Sequence, residues 1–167
     1  MVASGRLQSA QGRSHRPGRG ALAILALSLI GLGISVYLWT AKAGASSLIC
    51  GPMGDCATVN TSEYSEIWGV PVAAFGTGMY ALLALCGGMQ VRYPRMGWPR
   101  LLGFAMAFAG AIFSLYLTAL EAFVIHAYCA WCLVSWVLVT AIAALWGILL
   151  WKASGDESER SDDPAHE

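Results

Sequence analysis

The sequence predicts an all-α integral membrane protein: a bundle of four transmembrane helices with an outward loop that carries a short helix. Composition is the first reason. Of 167 residues, 57% are hydrophobic and 12% are charged, and the mean hydropathy is +0.59. Soluble domains carry about 25% charged residues. The second reason is where the charges fall. Arg6, Arg13, Arg16 and Arg19 crowd the start, and eight more follow residue 151, which leaves only Lys42, Asp55, Glu63, Glu66, Arg92, Arg95, Arg100 and Glu121 for residues 20–151. So few charges cannot coat a water-soluble globule of this size. The third reason is four long stretches with almost no charge at all. Together these exclude a soluble enzyme, a nucleic-acid-binding protein and a disordered chain.

The elements follow in order. A basic tail covers residues 1–19, a membrane domain 20–151 and a polar tail 152–167. The first span, 21–41, is uncharged and about 31 Å long as a helix at ~1.5 Å per residue, enough to cross hydrocarbon. The others are expected at 67–91, 101–123 and 128–151, the third interrupted only by Glu121. An Arg-rich start, an apolar run and Ala41-Lys42-Ala43 also resemble a secretory leader. The apolar run exceeds the usual leader core of about 7–15 residues, so the segment is read as a retained anchor. Gly103, Ala107 and Ala111, and again Gly110 and Ser114, recur every four residues and allow backbones to approach closely. The acidic tail from Ser154 is read as a disordered end.

Lysine and arginine set the orientation. Nine of the ten lie in the two tails and the 92–100 connection; only Lys42 lies in the loop between the first two spans. Both termini are therefore expected in the cytoplasm of a multi-pass protein of the inner (plasma) membrane. The loops at 42–67 and 124–128 face outward.

That topology puts four of the five cysteines on one side. Cys50 and Cys56 lie in the first outward loop, with Gly51, Pro52 and Gly54 between them as turn formers. Cys129 and Cys132 form Cys-Ala-Trp-Cys at the entry to the fourth span. Outside the cytoplasm thiols meet an oxidising environment. At the outer end of a helix, Cys129 lies near unsatisfied N–H groups and the positive end of the helix dipole, which favours thiolate, the species that exchanges disulfides. Cys132 is one turn deeper. A zinc site is not expected, because no histidine completes a ligand spacing, and haem attachment would need His where Leu133 stands. A purely structural bridge remains open for Cys50 and Cys56. It suits a Cys-x-x-Cys less well, since so short a loop makes a strained, reducible bridge. Cys86, inside the second span, is read as a small buried apolar residue.

The loop cysteines, Ser62 six residues after Cys56, Ile-Trp-Gly-Val-Pro at 67–71 and Cys-Ala-Trp-Cys at 129–132 together resemble the vitamin K epoxide reductase (VKOR) family in its bacterial form, over residues 20–151. The DsbB family also has four spans and two cysteine pairs, but its Cys-x-x-Cys lies in the first outer loop, the reverse of the order here. The resemblance implies a thiol:quinone oxidoreductase supporting disulfide bond formation. It would reoxidise a periplasmic, DsbA-like thioredoxin-fold partner and pass the electrons to ubiquinone or menaquinone. Many bacterial members carry a fused thioredoxin-like domain; the short polar tail here leads us to expect the partner in trans. The implied catalytic residues are Cys50, Cys56, Cys129 and Cys132. Partner thiolate attacks Cys50, the released Cys56 attacks Cys129, and Cys132 faces the quinone.

Ser62 matches the family's polar residue in the loop helix and is expected either to bond a quinone carbonyl or to make a local turn bond. Trp68 and Trp131 are expected to stack on the quinone or to anchor the protein at the membrane interface. Animal members have tyrosine where Trp136 stands, which counts against vitamin K epoxide as substrate. Two residues lie outside this scheme. Glu121 costs about 2.5–3.5 kcal/mol at mid-span and calls for a partner or a proton role. His126 lies near the thiols and is read as incidental. Two alternatives to the leading reading stay open: a quinone or vitamin K (epoxide) reductase drawing on external thiols for another purpose, and a non-catalytic four-span structural protein.

Overall fold

A computed structural model describes residues 18–44 and 55–161, with side chains to residue 155. Cys50 lies outside the described residues. The chain is mostly helical: α1 Arg19–Lys42, α2 Cys56–Thr61, α3 Val72–Arg92, α4 Trp98–Leu120 and α5 Ala130–Ser161. A two-stranded hairpin, β1 Glu66–Ile67 and β2 Val70–Pro71, precedes α3. Four helical segments are long and apolar enough to cross a membrane: Arg19–Lys42, Val72–Arg92, Trp98–Ile125 and Ala130–Gly155.

Three boundaries differ from expectation, each for a local reason. The second span starts at Val72 and not at 67. Trp68 and Gly69 both take positive φ, 52° and 78°, which closes a two-residue hairpin turn pairing Ile67 with Val70. Pro71 then stands at the N-cap of α3, where its missing N–H costs nothing. The third span runs on past Leu120 into a wide π-type turn, Glu121–Ile125, which ends at His126 in the left-handed region with φ 55°. The last helix continues to Ser161, so the start of the tail read as disordered is helical. Glu and Arg in that stretch are good helix formers, and proline is absent until Pro164.

Helix α1 packs chiefly on α3, and α4 on α5. Small residues make this possible. A Cβ on Gly31 would fall 2.2 Å from the Tyr80 ring, and one on Gly103 would fall 2.5 Å from Trp146. Both aromatic rings are fully buried in the gaps those glycines leave, alongside Ile24, Leu83, Val139 and Ile142. Of the two small-residue tracks read from the sequence, Gly103 and Ala107 of one and Gly110 of the other are buried, and the two glycines seat Trp146 and, with Val139, Met79. Large apolar side chains such as Leu29, Leu85, Phe108 and Ile112 point outward, as a lipid-facing surface requires.

Candidate functional site

The short connections at one end of the bundle bring Cys56, Cys129 and Cys132 together. Asp55 caps α2: its carboxylate accepts from the Thr58 N–H at 3.1 Å and the Thr58 hydroxyl at 2.6 Å. These bonds hold the carboxyl below its ordinary range, the hydroxyl first. The Asp55 N–H donates to the Tyr128 carbonyl at 3.0 Å, which ties the start of α2 to the segment before α5. Cys56, the first residue of α2, is thereby set against Cys129, and both are buried with Val59 in one cluster.

Lys42 does the same job from the other side. Its ammonium donates to the Asn60 carbonyl at 2.7 Å and to Ser65 Oγ at 2.6 Å, and lies 3.2 Å from the Glu66 carboxylate. The single basic residue of the connection between the first two spans is thus a clasp between the end of α1 and the segment that caps the bundle. Its local sequence gives no sign of this beyond its isolation.

Cys129 immediately precedes α5, and its sulfur acts as a helix cap. The Cys132 N–H donates to Cys129 Sγ at 3.4 Å, while the Cys129 N–H donates to Glu121 Oε2 at 3.0 Å. The Cys129 thiol is lowered from an ordinary 9.0 to about 7. The hydrogen bond from the Cys132 side chain contributes most, against the cost of burial; the Cys132 N–H and a hydrogen bond from the Cys56 side chain add to it, and the Glu121 charge opposes it. The expected thiolate at the helix entrance therefore has its physical cause, with a thiol donor first and the helix N–H group after it. The Cys132 side chain is also hydrogen-bonded to Glu121.

Cys129 and Cys132 open on a cavity of about 440 Å³. Leu38, Phe75, Met79, Met106, Phe113 and Leu117 supply apolar wall; Ser35, Ser62, Tyr80, Glu121 and Ser135 supply polar groups. Such a volume, mostly apolar with a few polar groups, is that of a small-molecule site. It suits a flat apolar ring with oxygens at its edge. Among the described residues no cluster of His, Cys, Asp or Glu could hold a metal ion.

The other expected site residues divide. Ser62 lines the cavity, and its hydroxyl donates locally to the Val59 carbonyl at 2.8 Å, so the turn bond and the cavity position coexist. Trp68 is fully exposed at the hairpin tip and stands off the cavity wall. Trp131 packs edge-on against Tyr37, ring centroids 5.6 Å apart, and is likewise absent from the wall. Positive φ at Trp68 turns its side chain away, and helical spacing points Trp131 to a different face from Cys132. Cys86 is buried among apolar side chains. His126 is exposed, and its Nδ1 lies 3.2 Å from the Val124 carbonyl. Sequence reasoning missed Asp55 and Tyr80. An Asp-x-x-Thr cap is readable in principle. The Tyr80 hydroxyl, 2.9 Å from both the Ser135 carbonyl and Ser135 Oγ, reaches across 55 residues and leaves no local signal.

A family model described as the vitamin K epoxide reductase family matches residues 22–146. The match covers most of the chain and the whole of this site, so the protein belongs to that family. It is a multi-pass membrane oxidoreductase of a family associated with thiols and quinones.

Proposed function

We propose that this member of the vitamin K epoxide reductase family reoxidises a DsbA-like thioredoxin-fold protein, in trans, on the outer face of a bacterial inner membrane. The electrons pass through Cys50 and Cys56, then Cys129 and Cys132, to ubiquinone or menaquinone in the cavity. The observation that carries this reading is one continuous line of contacts: the Cys56 side chain hydrogen-bonded to Cys129, Cys129 to Cys132, and both members of that pair on the cavity wall.

The chain's own residues account for each exchange. Partner thiolate attacks Cys50 of the loop disulfide and frees Cys56 as thiolate. Cys56 attacks Cys129 Sγ, and Cys132 leaves. When the partner departs, Cys50 displaces Cys129 from Cys56, and Cys129 leaves readily because its thiolate is already stable near pH 7. A bound quinone supplies an acceptor for two electrons and two protons. The polar groups at the cysteine end, Ser62 among them, orient it, and the apolar wall excludes water from the thiols. Trp68 and Trp131 fit interface anchoring in this scheme.

The test is oxidation of a reduced thioredoxin-fold partner by the purified protein, with a quinone analogue, across single Ser variants of Cys50, Cys56, Cys129 and Cys132. Each variant is expected to lose turnover. Normal turnover by the Cys132→Ser protein would overturn the proposal.

A further inference from the structure

Glu121 is 2% exposed, sits inside the third span, and is placed by the one wide π-type turn among the described residues. Such turns widen a helix locally and are frequent at functional sites. This one directs a carboxylate to a single place. One oxygen accepts the Cys129 N–H at 3.0 Å, the side chain bonds that of Cys132, and the group lines the cavity. Among the described residues the one ion pair joins Lys42 to Glu66, so no cation pins Glu121 in its charged form. A buried carboxyl of that kind can accept a proton and give it up again. If its role were only to cap α5, it would have no reason to face both the thiol and the cavity.

We infer that Glu121 is the proton carrier between the Cys132 thiol and the electron acceptor in the cavity, an inference that rests on the thiol:quinone reading above. When Cys129 and Cys132 form their disulfide, two S–H bonds are lost, one S–S bond forms, and two electrons pass to the quinone. The Cys132 proton moves to the Glu121 carboxylate and from there to a quinone oxygen. The Cys129 proton goes to water at the mouth of the site, and water supplies the second quinone proton. Glu121 ends each turnover as the carboxylate it began as.

Gln at this position keeps an oxygen for the Cys129 N–H and cannot carry a proton. In the full-length Glu121→Gln protein, reduction of the Cys129–Cys132 disulfide by dithiothreitol without quinone is the reference rate against which the quinone step is read, because loss of the Glu121 charge also acts on Cys129. A single turnover of the reduced protein with a soluble quinone is expected to slow at least a hundredfold, the usual scale of a lost proton-transfer group. Glu121→Asp, which retains the acid, is expected to recover tenfold or more of that loss. Equal quinone rates in native and Gln proteins, or in Asp and Gln proteins, would overturn the role of Glu121 and leave the parent reading standing. Failure of the native protein to reduce quinone would overturn both. A readout that needs no variant is time-resolved infrared absorption of the native protein. Glutamate carboxylate bands should bleach and a protonated carboxyl band should rise and decay during the quinone step; an unchanged carboxyl region would also overturn the role.

Discussion

Toward the end of the bundle that carries Arg92 and Arg100, a methyl group added to Gly103 would lie 2.5 Å from Trp146, and one added to Gly87 would lie 3.3 Å from the Leu25 backbone. Toward the cysteine end the same helices part around a cavity of about 440 Å³. Backbone irregularity follows the same division. The π-type turn, the positive φ angles of Trp68 and His126 and the short helix α2 all belong to the cysteine end. One half of the bundle is close-packed and regular; the other keeps space and gathers Cys56, Cys129, Cys132 and Glu121. The packed half holds the helices in register so that the open half can keep three sulfurs and a carboxylate in contact.

The division is open to direct challenge. The largest effect is expected from Cys132→Ser, which should cut quinone-dependent thiol oxidation at least a thousandfold and leave the thermal unfolding midpoint essentially unchanged. A large fall in the midpoint would mean that the cysteine end holds the fold together. The reverse is expected from Gly103→Val. Overpacking against Trp146 should cost about 1–3 kcal/mol, seen as a lower unfolding midpoint. Gly33→Ala, where an added Cβ meets nothing within 4 Å, should leave the midpoint equal or higher.

A pH titration sharpens the contrast further. Cys129 is lowered to about 7, so its alkylation in the reduced protein should rise through about pH 7 and level off above it, where an ordinary thiol would rise near 9. Losing the Cys132 donor in Cys132→Ala should move that midpoint upward. The same shift has a stability sign. A depressed pKa favours the folded dithiol form fully above about 9, and the benefit is lost as pH falls through about 7. A modest effect is expected from Tyr80→Phe. It removes the hydroxyl that joins α3 to Ser135 on α5 where the packed and open halves meet, at about 1 kcal/mol measured by thermal unfolding.

What the sequence made legible follows from how local the signals are. Spans announce themselves through uncharged runs of membrane length, and all four helices are present. The Cys-Ala-Trp-Cys at a helix entrance predicts a stabilised thiolate from the helix N–H groups alone, and Cys129 has one. Glu121 is conspicuous for its cost in hydrocarbon. Contacts between distant segments leave no such mark. The clasp of Lys42 on Asn60 and Ser65, the tie from Asp55 to Tyr128, and the Tyr80–Ser135 bond arise only when helices are placed side by side. The tryptophans teach the converse. Trp68 and Trp131 lie next to the site in sequence, but a turn with positive φ and a helical step of one residue carry their rings elsewhere.

The central claim is that electrons cross between the two cysteine pairs from Cys56 to Cys129. In Cys132→Ser no Cys129–Cys132 disulfide can form, and the same exchange runs from the other side: the Cys129 thiolate attacks Cys56 of the loop disulfide, Cys50 leaves as thiolate, and Cys132 is no longer there to resolve the new bond. Non-reducing digestion and mass spectrometry of the variant, purified without reductant and with free thiols blocked, should recover a peptide joined through Cys56 and Cys129. Recovery of a Cys50–Cys129 linkage in its place, or of no linkage between the two pairs, would contradict it.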